Sequence, residues 1–309
     1  MKILIVQIGL YGDMVLTTPL FREIHTKYPD AQIHILASRK NYKIIESNPH
    51  IQKIWIYEKN LKIVQLMFAL RAEKFDVWID PKDHASSESS LLAKFSNAKI
   101  KIGWNNEESN IFTHPTNHLN NPNHHRIETN LAALVPLGIT PQSDLLPELF
   151  PLKDSEQFVE RFLGGIGTPV VVNISAGNES RYLPIETWQK ICNGIRLPIV
   201  LNYIPNDANF ATEIKGNNPN INLFQSRSIL DAVSLIKRAR ILISPDTSVI
   251  HIASAFNIPT LGLYSSFEWN YIRFKPLSSQ SLAIQSKEGK AVRDIASDEI
   301  LAAIEQFSL

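Results

Sequence analysis

The 309-residue sequence has little cysteine and no excess of charge of either sign. Its one cysteine, Cys192, excludes a disulfide framework and a zinc site with several cysteine ligands. We interpret Cys192 as a small apolar side chain on a helix. Positive and negative side chains nearly cancel, with 31 Lys and Arg against 30 Asp and Glu. Because nucleic-acid-binding proteins usually carry a basic excess or stripe, we expect no nucleic-acid partner.

Long apolar runs are missing as well. The sequence has no uninterrupted apolar stretch of the roughly 18 residues that suggest a membrane-spanning helix. The apolar segment 2–8 is short, contains Gln7, and meets Gly9 rather than the small-residue cleavage site of a signal peptide. We therefore interpret it as a buried strand, and we expect a cytoplasmic protein.

What the sequence does contain is an alternation of strand-like and helix-like segments. The length suits two domains of about 150 residues each, and 44% apolar residues suffice for two cores. In the first half, strands are predicted at 2–8, 32–37, 53–57, 76–79 and 99–103, with helices at 13–28, 42–47, 61–74 and 87–95. Such repeated βα units predict a mostly parallel, doubly wound sheet with right-handed crossovers.

Segment 105–130 interrupts this alternation because it is rich in Asn, His and Pro, and we interpret it as a long surface loop. A helix at 126–137 follows. Three prolines in 140–151 then predict a linker, which divides the chain into domains 1–150 and 151–309. In the second domain, strands are predicted at 170–174, 198–203, 221–224, 241–244 and 260–264, with helices at 185–195, 208–215, 229–238, 249–256 and 298–307.

The loop after the first strand contains Gly9, Gly12 and Asp13. The two glycines permit a tight turn and a close approach of ligand to backbone, which makes them support for the loop. The third glycine of a dinucleotide-binding fingerprint is absent, and no Gly-Lys-Ser/Thr of a P-loop follows. Asp13 stands where a helix N-cap would stand. Its carboxylate would repel phosphate, so a general base is the alternative role.

Two segments of the second domain suit an anionic ligand. In the first, the small residues Ser175, Ala176 and Gly177 follow a strand, and Arg181 is presented shortly after them. Small residues and a cation at the carboxyl end of a strand favour phosphate binding. A lone loop arginine can equally be a solvated charge.

The second segment contains Asp246, Thr247, Ser248 and His251. Free backbone N–H groups at the start of a helix, together with two hydroxyl groups, make an anion site. Asp246 could cap this helix or accept hydrogen bonds from sugar hydroxyls. His251 could reach the same ligand, or it could be a packed helical residue.

Four blocks, in order along nearly the whole chain, resemble glycosyltransferase family 9, the heptosyltransferases of bacterial lipopolysaccharide core assembly. The blocks are residues 3–20, 125–130 with 137–139, Arg181 with Pro184-x-Glu186-x-Trp188, and 246–255. The resemblance implies a GT-B fold, in which two Rossmann-like, doubly wound parallel-sheet domains face each other across a cleft. It also implies an acceptor-side N-terminal domain and a C-terminal domain that binds a nucleotide-sugar donor.

The resemblance further implies roles for the candidate residues. Asp13 would be the general base on the acceptor hydroxyl of an inverting, metal-independent transfer, and Arg181 would contact the donor diphosphate. Asp246, Thr247, Ser248 and His251 would contact the diphosphate and the sugar. We expect no cofactor beyond the nucleotide-diphosphate sugar, which is a substrate. A glycan or lipid-linked glycan acceptor would bring peripheral association with the cytoplasmic face of the inner membrane, although the sequence has no strongly basic amphipathic helix.

Departures from the family pattern lie mainly on the donor side. Ser248 replaces a glycine, Arg181 replaces the usual lysine, and Leu183 replaces a tryptophan. Residues 265–269 and 202–209 are also atypical. Two alternatives therefore stay open: a non-catalytic protein that binds a nucleotide sugar or glycan, and a nucleotide-sugar epimerase. The histidines of the Asn-rich loop could bind a metal or an anionic acceptor, but we expect no metal site.

Overall fold

The structure, a computed structural model, describes residues 1–60, 62–106, 110–117, 122–141 and 144–307. The chain forms two compact units, Met1–Glu148 and Leu149–Leu309. This division lies in the proline-rich segment 140–151, in which the sequence predicts the domain boundary after residue 150. Among the described residues, no helix is both long enough and apolar enough to cross a bilayer.

Unit 1 is built on a six-stranded sheet in the order β3-β2-β1-β4-β5-β6, in which every neighbouring pair is parallel. Its strands are β1 (Lys2–Gln7), β2 (Gln32–Ser38), β3 (Ile51–Tyr57), β4 (Val77–Ile79), β5 (Ile100–Gly103) and β6 (His114–Pro115). Its α-helices are α1 (Tyr11–Val15), α2 (Thr18–Lys27), α3 (Lys62–Ala72), α4 (Ser87–Phe95) and α5 (Arg126–Ala132), with short 3-10 helices at Tyr42–Ile45 and Val135–Leu137.

The centre of this sheet is β1, whose residues Ile3 to Val6 are fully buried. The strand pairs with β2 in the register Lys2↔Gln32 through Gln7↔Ala37, and with β4 on its other side. A strand covered on both faces has no solvent-facing side, which explains why its sequence is continuously apolar rather than alternating.

Three predictions for unit 1 were wrong in detail. The helix expected at 13–28 begins earlier, at Tyr11, and is interrupted between Val15 and Thr18. Pro19 lies in the first turn of α2, where its missing N–H costs no helical hydrogen bond. The segment read as a loop contributes β6, a two-residue edge strand. The α-helix expected at 126–137 ends at Ala132 and is followed by a separate 3-10 turn. For the helix expected at 61–74, the first residue, Leu61, lies outside the described residues.

Unit 2 repeats the architecture, with a second all-parallel sheet in the order β12-β11-β10-β7-β8-β9. Its strands are β7 (Val170–Asn173), β8 (Ile199–Tyr203), β9 (Ile221–Gln225), β10 (Ile241–Pro245), β11 (Thr260–Tyr264) and β12 (Ser281–Gln285). Its α-helices are α6 (Lys153–Leu163), α7 (Ile185–Gly194), α8 (Ala208–Lys215), α9 (Ile229–Ile236), α10 (Ser248–Ala255), α11 (Glu268–Phe274) and α12 (Ser297–Glu305). The sequence missed α6, α11 and β12.

Each sheet has a topological switch point, where the strand order reverses. In unit 1 it lies between β1 and β4, and in unit 2 it lies between β7 and β10. The connections that leave two such strands go to opposite faces of the sheet, so their loops diverge and leave a crevice at the carboxyl edge. Open α/β sheets bind their ligands there. The candidate residues follow β1, β7 and β10, three of the four strands at these points.

Candidate functional site

In unit 1, Asp13 lies in the first turn of α1 beyond the carboxyl end of β1. The helix N-cap is Leu10, so the prediction that Asp13 occupies the N-cap was wrong by three positions. One carboxylate oxygen, Oδ2, accepts the Leu10 N–H at 2.8 Å, which is the bond that an acidic residue at the third helical position makes. The other oxygen, Oδ1, accepts no hydrogen bond from the described residues. One half of the carboxylate is therefore fixed, and the other is free for a ligand.

The two glycines of this segment differ in what their positions require. A Cβ built on Gly9 would collide with Oδ2 of Asp13, so the close approach of the carboxylate requires a residue without a side chain. Gly12, by contrast, lies inside α1, and its carbonyl accepts the Leu16 N–H at 3.0 Å. The sequence had placed Gly12 in the loop, whereas the structure places it in the helix.

A set of hydrogen bonds that the sequence did not reveal holds this segment. The fully buried Asn41 donates from Nδ2 to the carbonyls of Gln7 at 2.9 Å and Gly9 at 3.1 Å, and its Oδ1 accepts the Ser38 N–H at 2.9 Å. The Gln7 side chain donates to Thr17 Oγ1 at 3.0 Å, and Thr17 donates to the Asp13 carbonyl at 2.7 Å. The position of Asp13 therefore depends on polar side chains from the strand before it and from the chain after β2.

The block at 125–130, which carried part of the family resemblance, anchors the same edge of unit 1. Arg126 donates from Nη2 to the Pro81 carbonyl at 3.0 Å and pairs with Asp83 at 3.1 Å, which ties α5 to the loop after β4. Asn130 donates to the Leu16 carbonyl at 2.9 Å, close after the end of α1. These contacts support the loops on both sides of the switch point.

In unit 2, Arg181 and Asp246 meet across the switch point. Arg181 Nη2 lies 3.1 Å from Asp246 Oδ2, and its Nη1 donates to the Asp246 carbonyl at 2.5 Å. Asn270 of α11 donates to the same carboxylate oxygen at 3.0 Å, and Asp246 is only 6% exposed. Arg181 is therefore an oriented, paired cation rather than a freely solvated one. The capping alternative for Asp246 is excluded because its side chain makes these contacts instead.

The N-cap of α10 is Thr247, and no side chain makes a capping hydrogen bond there. The Thr247 hydroxyl lies 3.2 Å from Ser244 Oγ, and Ser248 is the first residue of the helix. The first N–H groups of an α-helix have no partner within the helix. This helix start therefore suits an anion, both through its free donors and through the positive end of its dipole.

Buried polar side chains link the carboxyl ends of neighbouring strands behind this helix start. Ser226 donates to Asn202 Oδ1 at 2.7 Å, Asn202 donates to Asn173 Oδ1 at 2.9 Å, and Asn173 donates to Ser244 Oγ at 3.2 Å. The last of these hydroxyls is the partner of Thr247. Because the chain of bonds crosses β8, β7 and β10, it fixes the register of their ends, and no local pattern in the sequence predicted it.

The small residues after β7 are in different environments. Ser175 Oγ donates to Asp207 and accepts the Ile204 N–H at 3.0 Å, so the hydroxyl is used within the protein. The Ala176 carbonyl accepts the Tyr182 hydroxyl at 2.9 Å. Gly177 is exposed, and a Cβ built on it would meet no atom within 4 Å. Of the three, Gly177 offers a ligand the most open backbone.

His251 lies in the first turn of α10 and is 5% exposed, with its ring centroid 6.2 Å from that of Phe274. Burial lowers the pKa of His251 to about 4, so the ring is neutral near pH 7. It can exchange hydrogen bonds with a ligand, but it brings no positive charge for a phosphate.

Cys192 is fully buried, and burial raises the pKa of its thiol to about 12, which fits its interpretation as an apolar side chain.

The histidines of the Asn-rich segment do not assemble with other ligands in the part of the chain that the structure describes. His114 is in β6, His125 is the N-cap of α5, and His124 pairs with Glu128 at 3.7 Å. His118 lies outside the described residues. No group of three or more His, Cys, Asp or Glu side chains able to hold a metal ion is found among the described residues.

Comparison with known proteins connects these two sites to one family. The sequence profile of glycosyltransferase family 9 (heptosyltransferase) matches residues 63–299. Lipopolysaccharide heptosyltransferase 3 of Escherichia coli K12 is 25% identical over 96% of this chain and 95% of its own length.

Two solved structures show the same fold over the whole chain. The glycosyl transferase family 9 protein of Veillonella parvula superimposes with a TM-score of 0.85 at 19% identity, covering 99% of this chain and 96% of its own. The ADP-heptose lps heptosyltransferase II of E. coli gives a TM-score of 0.81, also at 19% identity, covering 99% and 98%. The predicted GT-B fold, with two Rossmann-like sheets, is thereby confirmed. From its sequence and its fold, the chain is a glycosyltransferase and belongs to glycosyltransferase family 9.

Proposed function

We propose that this glycosyltransferase moves heptose from ADP-heptose to a lipopolysaccharide core or a related glycan, with inversion at the anomeric carbon and without a metal ion. The names of its relatives support the substrates, since one is a lipopolysaccharide heptosyltransferase and another an ADP-heptose lps heptosyltransferase. Family membership favours this function over the epimerase and the non-catalytic alternatives.

The observation that carries the mechanism is the half-fixed carboxylate of Asp13. The Leu10 N–H holds Oδ2 at 2.8 Å, while Oδ1 has no partner among the described residues. In the proposed step Oδ1 takes the proton of an acceptor hydroxyl as the hydroxyl oxygen bonds to the anomeric carbon. The bond from that carbon to the donor diphosphate breaks, and its electron pair leaves with the diphosphate. A single displacement of this kind inverts the anomeric centre through an oxocarbenium-like transition state.

The leaving diphosphate gains negative charge, which we assign to Arg181 and the start of α10. Asp246 and Asn270 orient the guanidinium, and two of its five donors are used on Asp246. The other donors and the uncapped N–H groups after Thr247 are available to phosphate oxygens. Donors that are oriented before the reaction stabilise developing charge without the cost of reorganisation.

The two units divide this work in the proposal. Unit 1 presents the base to a glycan or lipid-linked glycan acceptor, and unit 2 holds the donor at Arg181, Asp246, Thr247, Ser248 and His251, with Gly177 and its neighbours beside them. The nucleotide-diphosphate sugar is a substrate, and no further cofactor takes part. We place the enzyme in the cytoplasm, where such a donor is available.

The experiment compares Asp13→Asn and Asp13→Ala with the wild-type protein, measuring heptose transfer from ADP-heptose and, separately, the affinity for ADP by calorimetry. Asn at this position keeps an oxygen for the Leu10 N–H but cannot accept the proton, so it separates helix capping from base catalysis. We expect both variants to lower kcat by about 10²- to 10⁴-fold and to leave ADP affinity unchanged.

Asp30→Ala is the control because Asp30 is an exposed carboxylate of the same unit, beyond the end of α2. It should keep full activity. Near-normal turnover of Asp13→Asn would refute the assignment of the base. Release of ADP from ADP-heptose without transfer to any acceptor, in the wild-type protein, would refute the transferase itself.

A further inference from the structure

Unit 1 carries an exposed apolar strip on two neighbouring helices, α3 and α4. Val64 and Phe68, four residues apart on α3, are 53% and 60% exposed. On α4, Leu91 is 52% exposed, and the half-buried Phe95 lies four residues after it. The rings of Phe68 and Phe95 are 5.4 Å apart in an edge-to-face contact, which joins the two pairs. We call these four side chains the α3–α4 strip.

Among the described residues, the core cluster beneath these two helices is formed by other side chains. On α3 it is Leu70 that is buried, with Ile63, Leu66 and Met67 packed around the same core cluster. On α4 the buried residues of that cluster are Leu92 and Ala93. Both helices therefore have an inner apolar face and, in addition, an outer one. An outer apolar face exposed to water is unfavourable unless something covers it, and such patches often mark interaction sites.

Cations lie beside the strip. The Arg71 guanidinium lies 5.2 Å from the Phe95 ring centroid and donates to the Phe95 carbonyl at 2.7 Å. Lys94 is exposed and lies three residues after Leu91, a spacing that places it on the same side of α4. Lys59 is 82% exposed at the side chain and pairs at 3.2 Å with Glu88, the acidic residue at the start of α4. Arg71, Lys94 and Lys59 against the one carboxylate of Glu88 thus give the rim a net positive charge, although the whole chain is nearly neutral.

We propose that the α3–α4 strip binds the surface of an anionic phospholipid bilayer. Apolar side chains on a helix face insert at the boundary of headgroups and acyl chains, and Lys and Arg beside them pair with lipid phosphates. A protein partner fits less well, because four side chains fall short of the roughly 800 Å² per partner of a standard interface. The charge of the rim selects an anionic surface.

This inference rests on the proposed function, because it takes the acceptor to be a glycan linked to lipid. The placement of the strip agrees with that use. α3 and α4 follow the carboxyl ends of β3 and β4, and Asp13 follows the carboxyl end of β1. In a parallel sheet these ends share one edge, so both helices begin at the edge that carries the proposed base. The strip runs from that edge, at Val64 in the first turn of α3, to Phe95 at the end of α4, so a bilayer along it would reach the edge that carries the proposed base.

The test is co-sedimentation of the full chain with vesicles of phosphatidylcholine alone or mixed with phosphatidylglycerol. We expect binding to the mixed vesicles only, and weaker binding as salt increases. Replacing the exposed apolar side chains together (V64S, F68S and L91S) should reduce binding at least about tenfold. Replacing the exposed rim cation Lys94 (K94E) should reduce it by at least about fivefold.

Val135→Ser is the matched control, because Val135 is 61% exposed in the same unit but lies away from the strip in the chain, in the 3-10 helix Val135–Leu137. It should bind vesicles like the wild-type protein. Circular dichroism melting verifies that each variant is folded.

Transfer to a soluble, delipidated acceptor fragment keeps this inference separate from the proposed function. The strip variants should retain wild-type kcat on that fragment. If the wild-type protein transfers heptose but ignores anionic vesicles, the lipid inference is wrong and the assignment of Asp13 is untouched. If wild-type protein elutes as a dimer that the triple variant abolishes, the strip is a contact between copies and the lipid inference is overturned.

Discussion

The side chain on which the proposed catalytic loop depends most is Asn41. It donates to the carbonyls of Gln7 and Gly9 and accepts the Ser38 N–H, and it is fully buried. We therefore expect Asn41→Ala to damage both stability and catalysis, although Asn41 itself is not in the proposed chemistry. Its effect on catalysis would come through the position of Asp13.

The magnitude follows from the bonds that are lost. Each net hydrogen bond contributes about 1 kcal/mol, so the loss of three costs about 3 kcal/mol. The Gly9 carbonyl keeps the Ser38 hydroxyl as a partner at 3.0 Å, which limits the cost. In a domain of this size, 3 kcal/mol lowers the unfolding midpoint by about 6–12 °C. A displacement of the carboxylate by about 1 Å would lower kcat by about a hundredfold.

The assay pairs thermal unfolding, followed by circular dichroism, with kcat measured well below the midpoint. Leu70→Ala is the control for stability, because Leu70 is buried in the last turns of α3, at the opposite edge of the sheet from Asp13. Its truncation should cost about 2–5 kcal/mol, a comparable amount, yet leave kcat within about twofold of the wild-type value. If Asn41→Ala were destabilised with unchanged kcat, or if Leu70→Ala lost kcat equally, the proposed positioning role would be wrong.

Three further predictions concern single contacts. Gly9→Ala should lower kcat because its Cβ would displace the Asp13 carboxylate. Gly177→Ala should fold normally because its Cβ meets open space, so any loss of ADP affinity in this variant would report a contact with the ligand. Burial lowers the pKa of His251 from 6.5 to about 4, so between these pH values the unfolded chain binds a proton that the folded protein does not. The free energy of unfolding, measured by urea titration, should therefore fall from pH 6.5 towards pH 4 more steeply for the wild-type protein than for His251→Gln. Parallel pH dependences would contradict the burial argument. Arg181→Ala should weaken ADP binding, because it removes a cation and leaves the buried Asp246 carboxylate unpaired. Adding Asp246→Asn to this variant should restore part of the ADP affinity. An unchanged affinity in calorimetry of Arg181→Ala would exclude a contact between Arg181 and the diphosphate.

The fold was predictable because its signals are local. Continuous apolar runs such as 3–6 and 241–243 mark strands covered on both faces, and the alternation with helices implies a parallel sheet. Three of the four missed elements, β6, β12 and α11, have weaker signals; α6 is the exception, an eleven-residue amphipathic helix that buries Val159 and Leu163. Strand β12 is a half-buried edge strand with Ser and Gln at its ends, and α11 has seven residues with no long apolar stripe. β6 is two residues long and lies in a segment without apolar periodicity.

The supports of the candidate site were not predictable for a different reason. Asn41 is 34 residues from Gln7 in the chain, and Asn270 is 24 residues from Asp246. A hydrogen bond between such partners depends on which strands become neighbours and in what register, and no periodicity encodes that. Arg126 shows the same limit, because its position in a family block marked it as important without indicating that it ties α5 to the loop after β4.

The Arg181–Asp246 pair bears on the one departure from the family pattern that the structure can explain. The usual lysine at position 181 would present a compact charge with no fixed plane, whereas a guanidinium can bond the Asp246 carbonyl and carboxylate at once and still have donors left. Asn270 of α11, one residue after the atypical segment 265–269, donates to the same carboxylate. The Arg181 guanidinium and the Asn270 amide, far apart in the sequence, thus meet at one carboxylate oxygen. Because lysine cannot bond the Asp246 carbonyl and carboxylate at once, we expect Arg181→Lys to lower ADP affinity more than the retained charge alone would suggest, and a wild-type affinity in calorimetry would contradict this.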